Sequence, residues 1–402
     1  MIDLKLLEKV DFSKFQQPDY FFLKSLDEKE LLKIRNKWLN DLLRFDCIFP
    51  KKRKADFLFF RSLIRADYSS LVNSIVEQVD EDYSVVVVSD YNKTNAYINF
   101  EISSLFAEHI NLLKFMTGKR QLEKHCLYIR LVHYLYIIRK LFSYEPEVFV
   151  AFADMQPVEN LAVQLFKLAG VKTVTLQHGL YIDYGSMDTV NIVNYKNHVA
   201  DSFLAWGCNT HDLIKKYHPE SNIYNCGKPQ IFGLPAISEL PKTRQKANDI
   251  LVVTDQKIFN EQNLAMLDAV CSLAEVIGCK VYIRFHPSND KELYKLKFPQ
   301  LIELKFIKQN FLVVGHTTSM IYEAFTVGYP TMRFASDIPS LALKQENQFA
   351  SKEELLVKVK SVEDFDKFAG CQAMEKNEFI EATGERSLAL YKESLIRIKK
   401  GK

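Results

Sequence analysis

Short apolar runs rich in valine and isoleucine, each bounded by polar residues and separated by helical stretches, occur in two successive series along the chain. "YSVVVVSD" (83–90) is a continuous β-branched run, the mark of a strand buried on both faces. "EVFVAF" (147–152) and "VKTVTLQHG" (171–179) repeat it around the helical "NLAVQLFKLAG" (160–170). "SFLAWG" (202–207) and "NIYNCG" (222–227) read as further short strands. After "KPQIFGLPAISELPKT" (228–243), with Pro229, Pro235 and Pro241, the alternation restarts. Strands are predicted in "DILVVTD" (249–255), "KVYIRFHP" (280–287) and "NFLVVGH" (310–316), and helices in "NLAMLDAVCSLAEVIG" (263–278) and "TSMIYEAFTVG" (318–328). Two such series joined by a proline-rich segment imply an α/β chain of two doubly wound parallel-sheet domains, 1–240 and 241–402, facing each other. Residues 1–80 read as mostly helical, and in "DEKELLKIRNKWLNDLLRF" Asp27 is placed as an N-cap.

A chain of 402 residues is too long for one ordinary core, which agrees with two domains. Hydrophobic content of 48% and charged content of 26% are those of a folded protein. With 53 Lys+Arg against 50 Asp+Glu, the net charge of +3 gives no support for bulk nucleic-acid binding. Seven cysteines are scattered without a C-x-x-C pair, which argues against a disulfide framework or structural zinc and fits a reducing cytosol. "MIDLKLLEKVDFSKF" carries charges throughout and no apolar core, so it does not read as a signal peptide. No uncharged apolar stretch reaches the roughly 18 residues a membrane span requires. The expectation is a soluble cytoplasmic protein. "CLYIRLVHYLYIIRKLFSY" (126–144), a basic aromatic helix, suits either a membrane interface or a core helix whose cations reach solvent. The core reading is favoured, and peripheral association with the inner face of the membrane stays open.

The chemistry-bearing residues stand at the carboxyl ends of predicted strands, where a doubly wound sheet binds ligands. "YIRFHPSND" ends one strand with Arg284 and His286. "GHTTSMIYEA" ends another and opens a helix with Thr317, Thr318 and Ser319. A helix N-terminus presents unpaired N–H groups and the positive end of its dipole, which suits a phosphate. Glu323, one turn further on, is placed to accept hydrogen bonds from ribose hydroxyls. "HTTS" alone reads as an ordinary N-cap and Glu323 alone as a solvated helix residue; the convergence with Arg284 and His286 points to a ligand.

"RFHP", followed about 30 residues later by a strand, "TTS", a glutamate and "GYPTM", resembles the donor-binding half of GT-B glycosyltransferases. The likeness is to families that build bacterial capsular and other surface polysaccharides: sialyl-, polysialyl-, Kdo- and CDP-glycerol-type transferases. It covers roughly residues 145–340. The resemblance implies a nucleotide-sugar donor whose phosphate is contacted by His286, Thr318 and Ser319 and whose ribose is held by Glu323. It also implies a glycan or lipid-linked acceptor and a first domain that forms the acceptor side.

On that side, "TLQHGLYIDYGSMD" (175–188) places Gln177, His178 and Gly179 at a strand end, and the Q-H-G triplet is similar to a segment of capsule-type transferases. Gly179 is expected to permit a tight turn that exposes the imidazole. "AFADMQPVEN" puts Asp154 at another strand end and Glu159 in the next helix. Inverting transfer needs a base for the acceptor hydroxyl, and His178 and Asp154 are the candidates, with Asp183 a weaker one. A structural histidine and a helix cap are the competing readings of the first two. His198, His211 and His218 read as structural or surface residues. Neither "DED" (80–82) nor "DFD" (364–366) follows a strand as a diphosphate-bound metal would require, so no metal and no cofactor beyond the donor is expected. Two other functions fit the architecture: a sugar-nucleotide epimerase, and a non-catalytic component of a polysaccharide assembly complex.

Overall fold

The computed structural model describes residues 4–46, 49–51, 54–63, 65–89, 93–94, 98–187, 189–231, 246–304, 307, 309–369 and 378–401. The expected 240/241 boundary, with Pro235 and Pro241, lies outside them. Three helices open the chain: α1 (Leu4–Leu7), α2 (Phe12–Leu23) and α3 (Glu28–Leu43). Asp27 caps α3 as expected, in a capping box with Glu30 that satisfies two end amides. A two-stranded antiparallel ribbon pairs β1 (Phe45–Asp46) with the later β4 (Lys93–Thr94).

The reading of 1–80 as mostly helical missed two strands, the two-residue β1 and a longer one in the first large sheet. "FLFFR" forms β2 (Phe57–Arg61), fully buried in the first large sheet, and α4 (Ala66–Asp80) follows it. Aromatic and branched residues satisfy a strand buried on both faces as well as they satisfy a helix core. Next come β3 (Val85–Ser89), α5 (Phe100–Glu108), α6 (Gln121–Leu141), β5 (Val148–Ala151), α7 (Pro157–Leu168) and β6 (Lys172–Leu176). The half closes with α8 (Val193–Lys196), β7 (Ser202–Ala205), α9 (Cys208–Tyr217) and β8 (Asn222–Asn225). Residues 126–141 of the basic aromatic segment belong to α6, whose Leu131, Ile137 and Ile138 are wholly buried, while Arg130 and Lys140 reach outward to Asp19 and Glu101. That is the core reading of the segment. Among the described residues, no helix is long and apolar enough to cross a membrane.

The second series holds β9 (Ile250–Val253), α10 (Asn260–Ile277), β10 (Val281–Arg284), α11 (Lys291–Lys297), β11 (Ile302–Glu303), β12 (Leu312–Gly315) and α12 (Ser319–Thr326). β13 (Thr331–Phe334), β14 (Gln348–Phe349), α13 (Lys352–Lys358) and α14 (Gly384–Lys400) complete it. Both large sheets are six-stranded and wholly parallel, ordered β3-β2-β5-β6-β7-β8 and β11-β10-β9-β12-β13-β14. The strand order reverses between β2 and β5 in the first sheet and between β9 and β12 in the second, and at such points a crevice opens beyond the carboxyl ends.

The last helix does not stay with the second sheet. Tyr391, Leu395 and Ile398 of α14 join the core formed by Phe57, Val85, Val150 and Leu204 of the first. On its way back the chain pairs Thr383 with Lys228 of the outgoing crossover. Gly227, with φ +81°, lies so close to Ala382 that a Cβ would collide with its carbonyl oxygen. The two halves are thus joined by two crossing segments that pair with each other.

Candidate functional site

Each switch point is stapled by one buried carboxyl. In the first sheet, Glu159 in the first turn of α7 accepts from the Ser62 N–H at 2.8 Å and the Ala153 N–H at 2.6 Å, tying the end of β2 to that of β5. Burial pushes this carboxyl up to about 7. In the second, Asp255 beyond β9 accepts from the Thr317 N–H and hydroxyl, both at 2.7 Å, tying β9 to β12. Burial pushes it up to about 6. Neither carboxyl is spare for a substrate.

Around the second crevice, register places Arg284 beside Val253 and Gly315 beside Val253 on the other flank, so two neighbouring strand ends flank β9. His286 begins a braced turn. Its N–H donates to Thr254 Oγ1 at 2.9 Å and to Asn289 Oδ1 at 3.0 Å. The Lys257 N–H donates to Ser288 Oγ, whose hydrogen is then directed to His286 Nδ1 at 2.8 Å. The Ser288 N–H also points at Nδ1, 3.2 Å away. With Nδ1 an acceptor, the neutral ring carries its proton on Nε2, a hydrogen-bond donor for an anion. Burial, then the Arg65 cation, lower the pKa of this histidine. Burial likewise lowers that of Arg284, against the opposing pull of Glu323 and Asp67.

Thr317, Thr318 and Ser319 divide their tasks. Thr317 is spent on Asp255, and Thr318 caps α12 by accepting from the Met320 N–H. The Ser319 hydroxyl donates to Glu323 Oε1 at 2.9 Å. Glu323 is buried rather than solvated, and the same oxygen holds the ammonium of Lys228, which also lies 4.9 Å from the centroid of the Trp206 ring.

In the first half, His178 is partly buried at the end of β6. Its Nδ1 lies 3.0 Å from the Tyr181 hydroxyl, and the rings of Tyr68, Phe152 and Tyr181 surround it. Burial pushes its pKa down to about 4, with Asp154 raising and Arg65 lowering it, so the ring is neutral at pH 7. Gln177 is wholly buried and bridges strand ends instead of facing an acceptor: Oε1 accepts from the Trp206 N–H at 2.6 Å and Nε2 donates to the Gly179 carbonyl. Gly179 has no positive φ, and a Cβ there would meet nothing within 4 Å, so the backbone does not demand the glycine expected to make a tight turn.

Asp154 is corrected to an anchor. Its Oδ2 accepts from His198 Nδ1 at 2.8 Å, the Val199 N–H at 2.8 Å and the Ala200 N–H at 3.0 Å. Burial would raise this carboxyl, but His198 and the two amides hold it below its ordinary value. A buried carboxylate held in its charged form by three donors is a weak base and serves as an anchor for the 198–200 segment. Asp183 is tied to α9 through Lys216 at 2.6 Å and Tyr217 at 3.2 Å, and fastens the 177–187 loop. The expected structural roles of His198 and His218 agree with their contacts: His198 spans Asp154 and Ser221, and His218 contacts the Tyr195 carbonyl at 2.8 Å.

Three residues outside the sequence-derived set enter the crevice. Arg65, just before α4, binds Asp67 through two nitrogens at 2.7 and 3.2 Å and lies 4.2 Å from the centroid of Tyr68. Its charge acts on His178 of one half and His286 of the other, and Asp67 acts on Arg284, so the first turn of α4 lies near residues of both strand-end sets. The third is Lys228. None lies in a strand-end motif, and the only signal for Arg65 was its place after an apolar run. Among the described residues, no group of three His, Cys, Asp or Glu side chains is arranged to hold a metal ion.

No known protein-family model matches the chain, and no curated protein matches its sequence. Solved structures match its fold. A UDP-GlcNAc 2-epimerase from Methanocaldococcus jannaschii, solved with UDP-GlcNAc and UDP, is 13% identical with a TM-score of 0.52, over 86% of this chain and 100% of that one. MnaA of S. aureus, solved with UDP, gives 11% identity and a TM-score of 0.54 over 86% of this chain and 96% of that one. A putative UDP-N-acetylglucosamine 2-epimerase from Listeria monocytogenes gives 13% and 0.52 over 84% and 94%. The chain therefore has the two-domain α/β GT-B fold that its strand pattern and motifs led one to expect.

Proposed function

We propose that the protein is a metal-independent, inverting glycosyltransferase that moves a sugar from a nucleotide-activated donor to a growing cell-surface glycan or lipid-linked acceptor on the cytoplasmic side. The observation that carries this reading is an asymmetry of titratable groups. At the first sheet's strand ends Asp154 and Glu159 are consumed by structural hydrogen bonds, while His178 is neutral and its Nε2 has no partner among the described residues. That provides one base, which is what inverting transfer requires. In the tautomer this role needs, Nδ1–H donates to Tyr181 and Nε2 holds the lone pair. His286 Nε2–H, Arg284, Ser319 and the first amides of α12 meet the donor phosphates, and Glu323 takes the ribose. As the acceptor oxygen bonds to the anomeric carbon, the bond to the phosphate oxygen breaks. The hydroxyl proton passes to His178 Nε2, and the nucleotide leaves with its negative charge held by the second half.

The epimerase reading is favoured by the names of the three structures above. Epimerisation by proton transfer at carbon needs acid and base groups on both faces of the ring, and the staples leave no carboxyl at the first sheet's switch point for that task. Incubation with a panel of nucleotide sugars separates the functions. Acceptor-dependent nucleotide release supports transfer, a new sugar nucleotide without acceptor supports epimerisation, and neither product supports a non-catalytic role.

A further inference from the structure

Lys228 belongs to the segment that leaves the first sheet, yet its side chain enters the site on the second. Its ammonium and the Ser319 hydroxyl meet on the same Glu323 oxygen. Two hydrogen bonds to one atom place the ammonium within about 5–6 Å of that hydroxyl, at the amino end of α12. The root of the side chain is fixed, because Lys228 pairs with Thr383 and its N–H donates to the Ala382 carbonyl at 2.9 Å. Trp206 lies along its path, 4.9 Å from the ammonium. The backbone that carries this charge is therefore fixed by groups outside the second sheet, while the ammonium itself rests on Glu323 of α12.

We propose that Lys228 is a donor-binding residue whose ammonium passes from Glu323 to the diphosphate when a nucleoside-diphosphate sugar binds. The proposal rests on the reading of the α12 end as the donor site. Neither charge is orphaned in the exchange. The buried carboxylate receives the two ribose hydroxyls, and the ammonium receives phosphate oxygens that carry more charge than the carboxylate it leaves. The exchange makes diphosphate and ribose bind as a unit, because each supplies the partner that the other's residue gives up.

The test is calorimetry on the full chain with UDP and uridine, CDP and cytidine, dTDP and thymidine, and pyrophosphate. Lys228→Met is expected to lose about 10- to 100-fold in affinity for the preferred nucleoside diphosphate, the range for a charge-assisted hydrogen bond, and to keep its nucleoside affinity. Lys228→Arg should keep most of both. Glu323→Gln should lose nucleoside affinity but bind pyrophosphate more tightly, since the ammonium has lost its resting partner. The last two variants decide the matter if Lys228→Met fails to fold. Unchanged diphosphate affinity, or equal losses for diphosphate and nucleoside, overturns the proposal while leaving the donor site standing. If the unaltered protein binds none of the pairs, the donor-site reading fails and takes the proposal with it.

Discussion

The ring of Tyr68 stands edge-on to that of His178, with centroids 6.2 Å apart and planes 86° apart, while the Arg65 guanidinium lies 4.2 Å from the centroid of the same tyrosine. Tyr68 thus separates a fixed cation from an imidazole that must stay neutral to act as a base.

The first prediction concerns protonation. With its pKa lowered to about 4, chiefly by burial, His178 is deprotonated throughout the neutral range. A base is lost when it is protonated, so kcat/KM should hold from pH 7 to 5 and fall only towards pH 4. Arg65→Gln removes a like charge and should shift this acid limb to higher pH. An imidazole resonance of His178 that titrates at its ordinary 6.5 would contradict the assignment.

Turnover is the second. His178→Ala should bind nucleotide normally but transfer sugar at least about a hundredfold more slowly. Tyr181→Phe removes the partner that fixes the tautomer and should lower kcat without altering donor affinity. Near-normal turnover in His178→Ala would return the residue to a structural role.

Donor affinity is the third. His286→Ala and Ser319→Ala should each weaken nucleotide binding, by about 10- to 100-fold for the histidine and less for the neutral hydroxyl, while thermal unfolding stays close to that of the parent. Calorimetry showing the same affinity in both variants would move the site elsewhere.

Asp154 gives the fourth. Asp154→Ala strips one acceptor from three buried donors and should cost about 3–5 kcal/mol of stability in denaturant unfolding. A stable variant whose only defect is kcat would reinstate Asp154 as a catalytic residue.

The fifth is metal. In the proposed donor site Arg284, Lys228 and the α12 amides would supply positive charge to the diphosphate, so transfer should survive excess chelator. Loss of activity restored by Mg²⁺ or Mn²⁺ would overturn that expectation.

The parallel sheets were legible because a strand buried on both faces must be apolar throughout, and runs such as Val85–Val88 and Leu312–Val314 have few other uses. β2 was not, because "FLFFR" carries no alternation and follows a long helical stretch. The clusters proposed as the donor side stood out as motifs because their residues follow one another in sequence at strand ends. The fate of Asp154 was hidden, since its partner His198 lies 44 residues away and only the β6–β7 connection brings them together. Lys228 escaped for the same reason: its significance comes from Glu323, 95 residues on.

The packing of α14 on the first sheet has a consequence for biosynthesis. Tyr391 and Leu395, wholly buried against strands that begin at Phe57, leave the ribosome only after the whole second sheet has been made. Until they emerge, one face of the earlier sheet is only partly covered, by α4, and the cluster that holds Val150, Val174 and Leu204 is incomplete. The half made first therefore matures last. A nascent chain paused before residue 384 would expose an adhesive apolar surface, as would a product truncated there, and both would be natural clients for chaperones.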